Sequence, residues 1–187
     1  MSPVKLPVTR GLSNLASIVL VGALALSHPG PAFGQSKCWT TVGSAGTVDE
    51  ADTSIVAFDL STVTVKPAVN RRVLNVRYNV VATDGLFGGD RIGMGLRYTD
   101  NGANAHVVVH LREVNLQTGA TANKMSFDSD AFPQAAGAQT QFVNTACASG
   151  SFFDFANNVY YLDVELTKTG AGGTPVLQAV NICQSFC

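Results

Sequence analysis

Apolar and polar residues alternate along several stretches of this chain, and the alternation constrains the fold more than any other feature. The longest stretches are RRVLNVRYNVVAT (71–83), RIGMGLRYT (91–99) and NVYYLDVELTKT (158–169). In the first, Leu74, Val76 and Tyr78 would share one face of a strand, because successive side chains of a β-strand point to opposite sides. The pattern predicts strands with one buried and one solvated face, which is typical of antiparallel sheets.

Turn signals between these stretches predict how the strands connect. The tripeptide DNG (100–102) precedes AHVVVHLRE (105–113), and Asn-Gly is a strong hairpin signal because both residues tolerate a positive φ. The segment GAGG (170–173) likewise precedes the apolar stretch VLQAVNIC (176–183). We therefore expect two β-hairpins, one across each of these turns.

Three other segments have weaker strand signals. Residues 54–67 read as two short strands or one bent strand, another strand follows the turn at 117–119, and a short one lies near 139–145. Helix signals are few. The sequence therefore predicts an all-β domain of eight or nine strands, an antiparallel two-sheet β-sandwich of jelly-roll type, with a β-barrel as the alternative.

The closing segment resembles the last strands of secreted bacterial jelly rolls. The resemblance is carried by FDFANNVYYLDVELTKT (153–169) and the apolar return VLQAVNIC. It is a likeness of architecture and contains no functional motif, so it implies a fold and no activity.

The N-terminal residues have the composition of a targeting segment. Lys5 and Arg10 precede the apolar run LASIVLVGALAL (15–26), and the tripeptide AFG (32–34) offers small residues for cleavage after Gly34. Twelve apolar residues are too few to span a bilayer. We expect residues 1–34 to be a cleaved signal peptide.

Residues 35–187 would then form a single secreted or periplasmic domain of 153 residues, with no membrane span. Removing Lys5 and Arg10 leaves 10 basic and 13 acidic residues, a net charge of about −3. Phosphate binding needs a net or clustered positive surface, so we expect no nucleic-acid partner.

All four cysteines lie in the expected mature domain, and an even number in an exported chain predicts two disulfides. Four cysteines allow three pairings. We expect Cys147 to pair with Cys183 and Cys38 with Cys187, which would tie both chain ends to the body of the domain.

His106 and His110 are four residues apart in AHVVVHLRE, a spacing that invites a metal-site interpretation. On a strand they would lie about 13 Å apart, at about 3.3 Å per residue. Two nitrogens bound to one zinc can be no more than about 4 Å apart. We therefore expect no shared metal and no cofactor.

The same two histidines lie on the polar face of their strand, together with three arginines of the neighbouring stretches. The predicted ligand-binding face consists of Arg77, Arg97, His106, His110 and Arg112. Arginine is a planar donor that suits an acidic polysaccharide or another glycan. The alternative is a solvated surface in which acids pair with these cations.

Acidic residues offer two further sites. Asp163 and Glu165 would share a strand face about 7 Å apart, a separation that glycoside hydrolysis can use, with Tyr161 beside them for a sugar ring. For calcium, the loop acids are Asp49, Glu50, Asp52, Asp128 and Asp130, none of which completes an EF-hand.

No complete catalytic motif is present: there is no G-x-S-x-G, and the cysteines are assigned to disulfides. The sequence therefore favours a non-enzymatic exported binding or structural domain, with an extracellular polysaccharide or other glycan, or the cell surface, as the expected partner. The alternative is a carbohydrate-active enzyme on the same scaffold.

Overall fold

A computed structural model describes residues 37–82, 86, 91–147 and 151–185, and the predicted signal peptide lies outside them. The strands in these parts are β1 Cys38–Val42, β2 Thr47–Val48, β3 Val56–Asp59, β4 Thr62–Val65, β5 Arg72–Val80, β6 Arg91–Asp100, β7 Ala105–Asn115, β8 Thr121–Asp128, β9 Ala135–Asn144, β10 Asn158–Lys168 and β11 Val176–Ser185. Helices in the described residues are three short 3-10 turns. None has the length and apolar character needed to cross a bilayer.

The strands form two antiparallel sheets. Sheet 1 has the order β3-β4-β11-β6-β9, with β1 also paired to β11, and sheet 2 has the order β2-β5-β10-β7-β8. From β4 onward every connection except that between β7 and β8 crosses from one sheet to the other, and β4-β11-β6-β9 faces β5-β10-β7-β8, which is the strand order of a jelly roll. The predicted two-sheet sandwich is confirmed, and the closed barrel is not formed.

Both hairpins expected across the DNG and GAGG turns are wrong. β6 pairs with β11 and β9, whereas β7 pairs with β10 and β8, so the DNG turn leads from sheet 1 to sheet 2. The GAGG turn leads back from β10 in sheet 2 to β11 in sheet 1. The two hairpins that do form in the described residues join β3 to β4 and β7 to β8.

The core lies between the sheets and follows the alternation of the sequence. On β6, Ile92, Met94, Leu96 and Tyr98 are fully buried, and the apolar positions of β5, β7 and β10 face them from sheet 2. Burying residues of this size removes much apolar surface from water and is the main stabilising contribution to such a sandwich. The outward positions are left for polar side chains and for any ligand.

One disulfide joins Cys38 to Cys183, so the expected pairing of Cys147 with Cys183 and of Cys38 with Cys187 is wrong. The two residues face each other on the antiparallel neighbours β1 and β11, with their Cα atoms 4.1 Å apart. Spacing along the chain does not reveal this register. Cys187 lies outside the described residues, and no described cysteine is a free thiol.

Candidate functional site

Four of the five residues of the predicted ligand face lie together on the outward side of sheet 2. Arg77 is on β5, and His106, His110 and Arg112 are on β7; both strands flank β10. Arg97 lies on the outward side of sheet 1, because β6 and β7 belong to different sheets. Grouping Arg97 with the other four was therefore wrong.

The two arginines of the predicted face that lie on sheet 2, Arg77 and Arg112, are close to acids. Arg77 Nη1 lies 2.7 Å from Asp49 Oδ1, and Arg77 Nε lies 3.6 Å from Asp163 Oδ1. Arg112 Nε lies 3.9 Å from the other oxygen of Asp163. These pairs compensate the positive charge that the sequence places on this face.

The two histidines have different partners. His106 Nε2 lies 2.8 Å from Asp128 Oδ1 and 3.7 Å from Asp130 Oδ2, whereas His110 Nδ1 lies 2.8 Å from Ser126 Oγ. Desolvation raises the pKa of the Asp128 carboxyl, but hydrogen bonds from His106 and from the Asp130 N–H outweigh it, and that pKa lies below its ordinary value. Each histidine is thus held by its own neighbours on β8 or the turn after it.

Among the described residues, one set of three could offer a metal its donor atoms. His106, Asp128 and Asp130 bring one nitrogen and two carboxylate oxygens within 4.8 Å of one another. The imidazole nitrogen makes this set less suited to calcium, which prefers oxygen ligands. The hydrogen bond between His106 and Asp128 already accounts for the arrangement.

The carboxylates considered for hydrolysis lie on β10 in the middle of the same face. Asp163 is placed between Arg77 and Arg112, and Glu165 follows two positions along, between Asn75 and Val108 of the flanking strands.

A groove of about 600 Å³ runs over the outward side of sheet 1, where sequence reasoning placed only Arg97. Its lining comes from β1, β6, β9 and β11, namely Thr40, Thr41, Val42, Gly95, Leu96, Arg97, Thr140, Phe142, Ala179, Val180 and Asn181. No Asp, Glu or His is among these residues.

The floor of the groove is low because of Gly95 at its centre. In register, Gly95 lies between Asn181 of β11 and Phe142 of β9. The Phe142 ring leans over the glycine, yet its side chain remains 62% exposed. An aromatic ring over a strand glycine is a known stabilising arrangement, but this ring keeps most of its surface in water.

Polar side chains and strand β1 complete the groove. Thr40 of β1 lies opposite Asn181, and the next row along the strands holds Arg97 and Thr140. The disulfide from Cys38 to Cys183 fixes β1 against β11 in the row beyond Asn181. The groove therefore offers the aromatic ring of Phe142 and several side chains that can form hydrogen bonds. Two of its strands, β1 and β11, are linked by a disulfide.

Sequence reasoning missed Phe142 and Asn181. Phe142 lies in a segment rich in Ala, Gly and Gln whose strand signal is weak, and Asn181 lies on a strand that was expected to pair with β10 but belongs to the other sheet. The one usable signal was the pair Gly93 and Gly95 on the outward side of β6, since outward glycines leave room that a neighbour or a ligand can fill.

No family model matches the sequence, and no curated protein matches it either. Among solved structures, a xylan-binding module CBM15 is 12% identical, with a TM-score of 0.47, and the match covers 81% of this chain and 98% of that one. CBM35 from Cellvibrio japonicus Abf62 is 17% identical, with a TM-score of 0.35, covering 81% and 100%. A family two carbohydrate esterase from Cellvibrio japonicus is 11% identical, with a TM-score of 0.40; the match covers 80% of this chain and 34% of that one, about a third of its length. Such low scores do not bear on function.

Proposed function

We propose that this chain is an exported, non-enzymatic domain that binds a glycan in the groove of sheet 1. The observation that carries the proposal is Phe142, a large aromatic residue that is 62% exposed and lines the groove together with polar residues. Sugar rings have an apolar C–H face and a rim of hydroxyls. An exposed ring with nearby amide, hydroxyl and guanidinium groups is complementary to both.

The absence of acids among the lining residues supports binding over hydrolysis. Glycoside hydrolysis uses two carboxylates on either side of the scissile bond. The residues that line this groove include none, whereas they include donors and acceptors in Thr140, Asn181 and Arg97. Ligand pockets of this kind combine mostly apolar lining with a few oriented polar groups.

Export is part of the proposal and is supported by two features. Residues 1–34 have the composition of a signal peptide. The disulfide from Cys38 to Cys183 belongs to an oxidising compartment such as the periplasm or the cell exterior.

A glycan array with the disulfide-bonded protein tests the proposal. Phe142→Ala should lower the signal for the bound glycan by about tenfold or more, the effect of losing about 1.4 kcal/mol of ring stacking. Phe58→Ala is the matched control, because Phe58 is also an exposed phenylalanine of sheet 1, 48% exposed on β3, but does not line the groove.

The array separates this proposal from the predicted face on sheet 2. Loss of binding in Phe142→Ala with unchanged binding in Phe58→Ala supports the groove. Absence of any glycan signal for the wild type, or equal signals for wild type and Phe142→Ala, overturns it. Loss of binding in Arg112→Gln instead would move the site to sheet 2.

A further inference from the structure

The guanidinium of Arg97 differs from those of Arg77 and Arg112 on sheet 2, since no carboxylate accompanies it among the described residues. Arg77 and Arg112 are both within ion-pair distance of Asp163, whereas no ion pair involves Arg97 among the described residues. It is also the one charged residue among those that line the groove. The groove therefore has a positive charge that no ion pair among the described residues compensates.

Arg97 is nevertheless held in place. Its Nε donates to Gln178 Oε1 at 3.2 Å and its Nη1 donates to Thr140 Oγ1 at 3.3 Å, so the strands on both sides of β6 orient it. The register shifts between Leu177 and Ala179, which makes Gln178 the extra residue of a β-bulge. Bulges commonly re-aim a side chain next to a functional site.

The remaining terminal nitrogen, Nη2, has no hydrogen-bond partner among the described residues. A planar guanidinium with free N–H groups is suited to a carboxylate, which it binds by charge-assisted hydrogen bonds that are shorter and stronger than neutral ones. Arg97 and Gly95 are two residues apart on β6, about 7 Å along the backbone, so Arg97 lies one row along from Phe142 and both residues line the groove. One ligand can therefore contact both groups.

Resting on the proposed function, we infer that the glycan carries carboxylates, as uronic-acid polysaccharides do, and that Arg97 binds them. Phe142 provides the stacking surface, and Arg97 provides the preference for the acid over a neutral sugar. Gln178 and Thr140 are positioning residues that keep the guanidinium over the groove.

The test compares polygalacturonate and alginate with their methyl-esterified forms, which keep the sugar backbone and lose the charge. Affinity electrophoresis or calorimetry should show wild type binding at least one free-acid polymer about tenfold or more tightly than its ester, with a preference that weakens as salt rises. Arg97→Gln should abolish the preference and retain the weaker binding to the ester. Arg112→Gln, the ion-paired control on sheet 2, should bind as wild type does.

The outcomes distinguish this inference from the proposed function. Equal affinity for acid and ester, binding of neutral glycans alone, or an unchanged preference in Arg97→Gln overturns the inference and leaves glycan binding through Phe142 intact. Failure of the wild type to bind any glycan on the array overturns the proposed function itself.

Discussion

Phe142 on β9 lies directly opposite Gly95 on β6, and its ring occupies the space that a side chain at position 95 would need. A Cβ atom built on Gly95 would lie 2.5 Å from Phe142 Cε1 and would also collide with Asn181 Oδ1. The missing side chain therefore sets both the depth of the groove and the position of its aromatic ring. The proposed ligand binding and the local packing therefore depend on the same glycine.

Gly95→Ala should push Phe142 and Asn181 out of place and weaken glycan binding by about tenfold or more. It should also lower stability by about 1 to 3 kcal/mol, the usual effect of overpacking. Gly137→Ala is the matched control, because Gly137 lies on β9 in the same sheet and an added Cβ there meets nothing within 4 Å. If both variants bind as wild type does, the close approach of Phe142 to Gly95 does not shape the site.

Tyr98 and Tyr78 are both buried tyrosines, but only one hydroxyl has a partner. Tyr78 donates to Gly43 O at 2.6 Å, whereas the Tyr98 hydroxyl is without a hydrogen-bond partner among the described residues. Tyr98→Phe should raise the free energy of unfolding by about 1 kcal/mol, and Tyr78→Phe should lower it by about the same amount. Urea unfolding measures both. Destabilisation by Tyr98→Phe would mean that its hydroxyl is hydrogen-bonded in solution.

The disulfide between Cys38 and Cys183 closes a loop with a sequence separation of 145. Replacing both residues by serine should destabilise the domain by about 3 to 5 kcal/mol, since a long loop gains much entropy in the unfolded chain. It should also weaken glycan binding, because β1 forms one side of the groove. Peptide mapping of the unreduced protein should find the Cys38 and Cys183 peptides linked. A link from Cys38 to Cys187, or a free thiol at Cys38, would contradict the register of β1 with β11.

The carboxyl group of Asp154, just before β10, has a lowered pKa that makes its contribution to stability depend on pH. The Asn157 side chain donates to its carboxylate at 2.9 Å, and this bond, with two backbone N–H donors, lowers the pKa of Asp154 below 3.8. A lowered folded-state pKa means that the carboxylate stabilises the fold above the unfolded-state pKa and that this contribution is lost as the pH falls through the folded-state value. In Asn157→Ala, the pKa of Asp154 measured by carboxyl NMR should rise toward 3.8. An unchanged pKa would show that this hydrogen bond does not form.

The alternation predicted which side of each strand is buried, but it could not assign strands to sheets. Val107 and Leu111 of β7 and Ile92 of β6 are fully buried, as the pattern indicates. A hairpin and a crossover place the same apolar faces toward the core, so the pattern does not distinguish them. The distinction depends on contacts distant in sequence.

Asn101 makes contacts, distant in sequence, of the kind that distinguish a crossover from a hairpin. Its side chain donates to Gly172 O at 2.8 Å and accepts from the Thr174 N–H at 2.7 Å. The two turns that read as hairpins therefore bind to each other, each carrying the chain from one sheet to the other. Neither turn contains a local signal of this partner, which is why the hairpin interpretation failed twice.

The candidate site could be predicted in part. Arg97 was identified as an outward cation, but its groove depends on which strands flank β6, and these are β9 and β11 from later in the chain. Phe142 enters the proposed site only through its position opposite Gly95. The sequence of one chain predicts on which side of its strand a residue lies. It does not predict which residue lies beside it on the neighbouring strand.

An NMR titration of the labelled protein with the glycan that binds best on the array tests whether the ligand occupies the groove of sheet 1. We expect the largest amide shifts at Gly95, Phe142 and Asn181, with little change at His110 and Asp163 of sheet 2. Shifts concentrated at His110 and Asp163, or absent from the residues that line the groove, would contradict the account.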